Sequence, residues 1–214
     1  MNHLLRILSL LPLVGILVMC ASAATDSTEW VGLFDGKSLG GWQVTNFGGQ
    51  GSVSLEGEQV VLEIGNDLTG ITWEREFPKV DYEIMLDAMR LEGNDFFCGL
   101  TVPVRDSFCS LIVGGWGGTV VGISSVDGRD AAENPTSKLR SFDSKRWYRI
   151  QLRVTRKNLK VWIDDTLIIE QPIEGHTLTT RPEVDLSKPL GIASWRTRSA
   201  IRAIHFRNLP PERP

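Results

Sequence analysis

Trp147-Tyr148-Arg149-Ile150-Gln151-Leu152-Arg153-Val154-Thr155-Arg156-Lys157-Asn158-Leu159-Lys160-Val161-Trp162-Ile163-Asp164 carries the pattern that decides the fold. Tyr148, Ile150, Leu152 and Val154 alternate with Trp147, Arg149, Gln151 and Arg153. Leu159, Val161 and Ile163 alternate in the same way with Lys160, Trp162 and Asp164. Successive side chains of a strand point to opposite faces, so a period of two with one apolar set marks a half-buried strand. Arg156-Lys157-Asn158 is a turn-sized gap between the runs. The segment is therefore predicted to be an antiparallel hairpin with both apolar sets on one core face.

The same period recurs outward from this hairpin. Tyr82, Ile84, Leu86 and Ala88 face one way, while Glu83, Met85, Asp87 and Met89 face the other. Further short runs are predicted as strands from Trp42 to Glu74, from Phe96 to Ser124 and from Pro189 to Arg207. No stretch has the pattern of an amphipathic helix of three turns, and the chain carries 21 glycines and 10 prolines, which favour turns. Many short strands with regular turn signals predict an all-β sandwich of two antiparallel sheets. Residues 126–143 and 174–187 are polar and irregular, and long loops on a compact scaffold are where binding residues concentrate. No linker or repeat divides residues 25–214, which read as a single domain.

The N-terminus reads as an export signal. Arg6 precedes an apolar run from Ile7 to Val18, and Ala21-Ser22-Ala23 supplies the small-x-small cleavage pattern. Residues 1–24 are thus expected to be a signal peptide, and the run is short of the roughly 20 residues of a membrane span. The protein is expected to be periplasmic or extracellular, with no stable membrane insertion after cleavage; lipidation at Cys20 is disfavoured by bulky Met19. Sequencing of protein exported by a bacterial host should begin near Ala24 or Thr25, and an intact Met1 or a lipid on Cys20 would refute the signal. The formal net charge is −3, and loss of Arg6 without any acid makes the mature chain about −4. A general nucleic-acid binder needs a basic excess to displace phosphate counterions, so the charge balance argues against this class and no nucleic-acid partner is expected.

Cleavage would leave two cysteines, Cys98 and Cys109. They flank a predicted turn at residues 103–107 whose midpoint does not set them opposite one another, so two buried free thiols are favoured over a disulfide. No metal site is predicted, because His176 and His205 lack ligand spacing, and no cofactor is identified.

Leu33-Phe34-Asp35-Gly36-Lys37-Ser38-Leu39-Gly40-Gly41-Trp42 resembles the opening of the 3-keto-disaccharide hydrolase domain family, formerly a domain of unknown function. Asp81 to Asp87, Arg146 to Ile150 with Trp162 to Asp164, and Pro189 to Ile192 with Ile204 to Asn208 resemble it in the same order. The resemblance spans Trp30 to Leu209. It implies a concanavalin-A-like jelly-roll sandwich and a carbohydrate ligand. Two segments depart from the family pattern: Phe108 to Trp116 replaces a polar, acid-bearing strand, and Ser194 to Thr197 replaces an Asp-His-Gly-like turn.

A sugar site needs aromatic faces for C–H surfaces and planar polar groups for hydroxyls. Trp116 sits in Gly114-Gly115-Trp116-Gly117-Gly118, where the glycines are read as leaving room for a ligand. Trp195 and Arg196 end a predicted strand, and Asp127 and Arg129 share a turn; these are the expected substrate contacts. Asp95, Glu83, Asp87, Asp127 and Asp130 are the acid–base candidates, and the first three are the expected catalytic residues. Glu83 and Asp87 are about 13 Å apart by strand rise, too far for a retaining pair at roughly 5 Å. If the substrate is a 3-keto sugar, the ketone acidifies the C2 hydrogen, and the chemistry then requires one base, an oxyanion stabiliser such as Arg196 or a bound metal, and a proton donor. The expected function is a secreted glycoside hydrolase of 3-keto-disaccharides or related glycosides. The alternatives are a non-catalytic lectin-like module and an envelope interaction domain, since fold alone does not give activity.

Overall fold

The hairpin predicted at residues 147–164 lies inside the larger of two antiparallel sheets. The structure, a computed structural model, describes residues 28–210. The expected signal peptide, residues 1–24, and Cys20 lie outside the described residues. The strands are β1 (Val31–Gly32), β2 (Trp42–Val44), β3 (Val53–Leu55), β4 (Val60–Leu62), β5 (Leu68–Trp73), β6 (Tyr82–Glu92), β7 (Cys98–Val104) and β8 (Ser107–Gly115). They continue with β9 (Val120–Ser124), β10 (Lys138–Leu139), β11 (Tyr148–Val154), β12 (Asn158–Ile163), β13 (Thr166–Pro172), β14 (Gly191–Trp195) and β15 (Arg198–Asn208).

One sheet runs β13-β12-β11-β6-β15-β4-β3, with β1 paired to β15, and the other runs β10-β9-β8-β7-β14-β5-β2. In the first, Leu152 lies opposite Val161 on β12 and Ile84 on β6, so the apolar sets of three strands fall in one row. The inner faces of both sheets meet in a core that includes Tyr82, Ile84, Leu86, Leu100, Leu111, Ile123, Ile150 and Leu152. Leu152 is 0% exposed. Truncating it to alanine should cost about 2–5 kcal/mol in urea unfolding, the usual range for a buried leucine. A loss well under about 1 kcal/mol would mean that the faces are the other way round.

The opening motif has a local cause. Asp35 Oδ1 accepts the amides of Lys37 and Ser38, both at 2.8 Å, which fixes the turn at Gly36. The chain then delivers Trp42 into the core, where its indole donates to the Leu33 carbonyl at 2.9 Å and its ring lies edge-on to Trp73. Cys98 pairs in register with Val113 and Cys109 with Val102, so the two cysteines are staggered. Both are buried free thiols, and burial pushes each thiol up to about 12.

The two irregular stretches of the sequence fold back together over the outer face of the second sheet. Ser125 and Thr179 exchange backbone hydrogen bonds, and Val126 bridges Leu178. Glycines on the sheet allow the close approach. A Cβ at Gly122 would lie 2.6 Å from the Ala131 carbonyl oxygen, and one at Gly191 would lie 2.5 Å from Ser187. Ser187 ends a 3-10 turn, Pro182–Ser187, which is thereby seated on β5 and β14. Leu68, Phe96, Ile112 and Ala193, which point away from the main core, form a second apolar cluster with Ala131 and Val184.

Candidate functional site

Between this cover and the sheet lies a cavity of about 240 Å³. Its floor is the outward set of the second sheet: Leu68 of β5, Ser110 and Ile112 of β8, and Ser124 of β9. Phe96, Asp95 and Trp195 close one end, Trp116 stands at the rim, and Arg181, Glu183 and Val184 come from the cover. The structure thus brings Asp95, Trp116 and Trp195 together from three distant segments.

Arg90 organises that end of the cavity. It continues the inward parity of Tyr82, Ile84, Leu86 and Ala88 along β6 and is only 6% exposed. Its Nη2 donates to the carbonyls of Asp95, Gly114 and Gly118 at 3.3, 3.2 and 3.0 Å, and its guanidinium lies over the Phe97 ring. Burial pulls its pKa down, partly offset by Asp95 and Tyr148. A Cβ at Gly114 would lie 2.6 Å from this guanidinium, and one at Gly118 3.4 Å from it. Gly114 and Gly118 therefore make room for Arg90, whereas Gly117, next to Trp116, faces open space. Arg90 was legible only as an arginine on the core parity of a strand.

Both aromatic walls sit at turns with unusual backbone. Trp116 has φ 47° and Arg196 has φ 44°, left-handed values that cost non-glycine residues energy and must be held by their surroundings. Arg196 supports Trp195. Its guanidinium stands 5.6 Å from the centre of the Trp195 ring and is anchored to Asp67 Oδ1 at 2.7 Å. It does not line the cavity. The cation that does is Arg181, which donates to Asp130 and Glu183 at 3.0 and 2.8 Å and holds the Glu183 carboxyl below the usual range.

Asp95 is half-buried. Its Oδ1 accepts the Phe96 amide at 2.8 Å, and Thr197 Oγ1 receives the Asp95 amide. Its Oδ2 has no hydrogen-bond partner among the described residues. It is the carboxylate oxygen left for a ligand.

The other predicted site residues lie elsewhere. Glu83 and Asp87 are on the outer face of the first sheet, across the core from the cavity. Glu83 is 0% exposed and is held by Arg153 and Arg207, and Asp87 is paired to Arg149 and Arg202. Their strand parity is outward as expected, but alternation does not say which sheet carries the site. Asp127 accepts the Thr177 amide and bonds His176 Nδ1 at 2.7 Å, contacts that lower its pKa. Neither Asp127 nor the exposed Arg129 lines the cavity. Among the described residues no group of His, Cys, Asp and Glu is gathered as a metal site.

A family model described as the 3-keto-alpha-glucoside-1,2-lyase-like domain matches residues 29–209. The chain belongs to this family. The match covers the sandwich and every residue of the cavity. No curated protein matches the chain. Among solved structures, the Crh5 transglycosylase without ligand is similar at a TM-score of 0.59 and 12% identity, covering 86% of this chain and 85% of that one. A Bacillus subtilis protein with a galectin-like fold is similar at a TM-score of 0.57 and 14% identity, covering 80% and 90%. A chain from a study of mucin-degrading endo-acting O-glycanases of human gut bacteria is similar at a TM-score of 0.52 and 11% identity, covering 79% and 92%. At these identities the likeness shows the fold, a jelly-roll sandwich shared with carbohydrate-active proteins. No helix among the described residues is long and apolar enough to cross a membrane.

Proposed function

We propose that this exported protein cleaves the glycosidic bond of 3-keto-glucosides in the cavity between the second sheet and its loop cover. The observation that carries the reading is the convergence of Asp95, Trp116 and Trp195 on one cavity in a chain of this family. The tryptophans offer ring faces to the sugar's C–H surfaces. Asp95 takes the C2 hydrogen as a proton, and the electron pair passes to the C3 oxygen as an enolate. Collapse of the enolate restores the ketone, forms the C1–C2 double bond and breaks the C1–O bond. The aglycone oxygen leaves and is protonated from solvent. Arg181 is the cation available to steady the enolate oxygen, the role first assigned to Arg196. Glu183, held ionised by Arg181, serves as its counter-ion and not as a proton donor. Addition of water at C1 of the unsaturated ketone completes a net hydrolysis.

The test is incubation of the purified protein with paired 3-keto and unoxidised glycosides, read as released aglycone. Release from the keto member alone is expected, and release from neither would end the enzyme reading. Trp116→Ala and Trp195→Ala should each weaken sugar binding by on the order of 1 kcal/mol or more. Trp116, 44% exposed at the rim, is the cleaner of the two because less of the fold rests on it.

A further inference from the structure

The walls of the cavity differ between rim and depth. Trp116, Trp195 and Asp95 are partly exposed, whereas Leu68, Phe96 and Ile112 are 3%, 9% and 5% exposed, so the buried, inner part of the lining is apolar. Two serines lie opposite one another on the floor, Ser110 on β8 and Ser124 on β9. The Ser110 hydroxyl is shared with Thr101 at 2.8 Å. Ser124 lines the cavity, and its buried hydroxyl has no hydrogen-bond partner among the described residues. A buried hydroxyl without a partner is costly and uncommon in a folded protein, and here a ligand oxygen would satisfy it.

We infer that the inner part receives an apolar ring bearing one oxygen, the aglycone of a glycoside, while the sugar occupies the rim. This rests on the reading of the cavity as a glycosidic site. A second sugar in that inner part would set several hydroxyls against Leu68, Phe96 and Ile112, with only Ser124 and the already shared Ser110 hydroxyl to answer them. A benzyl or cyclohexyl group makes the opposite exchange, since it leaves water for an apolar wall and keeps one oxygen for Ser124. Size points the same way. The cavity of about 240 Å³ is small beside the roughly 300–1,000 Å³ of sites that enclose larger ligands. It suits one ring at depth. The substrates are therefore 3-keto-glucosides of apolar alcohols in preference to 3-keto-disaccharides.

The experiment uses the full mature chain and two readouts. The KM of the parent is compared for benzyl 3-keto-α-glucoside and a 3-keto-disaccharide, both with alkoxide leaving groups. Binding of benzyl alcohol, toluene and glucose is followed by tryptophan fluorescence. The benzyl substrate is expected to have a KM about tenfold lower or more. Ser124→Ala should weaken benzyl alcohol about threefold to tenfold and leave toluene unchanged. Equal KM values, or a lower one for the disaccharide, overturn the inference while leaving the proposed activity standing. If neither keto-glycoside is cleaved but benzyl alcohol binds and responds to Ser124→Ala, the activity fails and the ligand class stands. Failure of benzyl alcohol and toluene to bind at all overturns the inference.

Discussion

Glu83→Ala is expected to destabilise the protein by about 3 kcal/mol or more, although it touches neither the cavity nor the main core. Glu83 is fully buried on the outer face of the first sheet. It accepts from Arg153 Nε at 2.5 Å, Gln151 Nε2 at 3.1 Å and Arg207 Nε at 2.6 Å. These donors come from β11 and β15, the strands that flank β6, so one carboxylate ties three strands together. Hydrogen bonds to a charged group contribute about 1.5–3 kcal/mol each. The sum must be discounted, because the side chains of Arg153 and Arg207 are 36% and 29% exposed and regain water when the carboxylate is lost. Trp162 and Trp30 lie under those guanidiniums and limit how far they can swing out. Asp87→Asn is the control. Its contacts with Arg149 and Arg202 are longer, 3.5 and 3.3 Å, and its side chain is 13% exposed, so it should lose less than half as much. Urea unfolding with an unchanged slope measures both. Equal losses at the two sites would show that the outer network acts as diffuse charge rather than through the buried carboxylate.

Glu83 also shows where reading the sequence stops. Alternation along Tyr82 to Ala88 and Tyr148 to Val154 is a local property, and it carried the strands, their inward faces and the hairpin register into the folded structure. The same alternation marks Glu83 and Asp87 as outward. It cannot say that their sheet faces away from the cavity, because that depends on strand order across the whole chain. Arg181 and Glu183 were missed for a related reason. They reach the cavity only because Gly191 lets the Pro182–Ser187 turn sit on the sheet, a contact between segments with no shared pattern. Arg90 was hidden differently: its parity is that of a core residue, and a buried guanidinium that serves backbone carbonyls breaks the usual rule for charged side chains. Trp116, Trp195 and Asp95 were readable because each lies at or beside a strand end, and such ends cluster at the edges of a sandwich.

Asp95→Asn should lower kcat on a 3-keto-glucoside about a hundredfold or more while leaving KM nearly unchanged. The substitution is close to isosteric. The amide oxygen of asparagine can keep the bond to the Phe96 amide that Asp95 Oδ1 now makes at 2.8 Å, and the Thr197 contact involves only the backbone amide. What is lost is a proton acceptor at the position of Oδ2, now replaced by an amide nitrogen that can only donate. If Oδ2 removes the C2 hydrogen, this loss falls on the transition state and spares the ground state, hence the split between kcat and KM. A structural role for Asp95 would instead lower the unfolding midpoint and raise KM with it, so both are measured on the same preparation. In a lectin-like module the same change weakens sugar binding, and there is no turnover to lose. A variant that keeps the parent's kcat would remove Asp95 as the base. Glu183 would then be the remaining carboxylate of the cavity, and its pairing with Arg181 would have to break before it could approach the sugar.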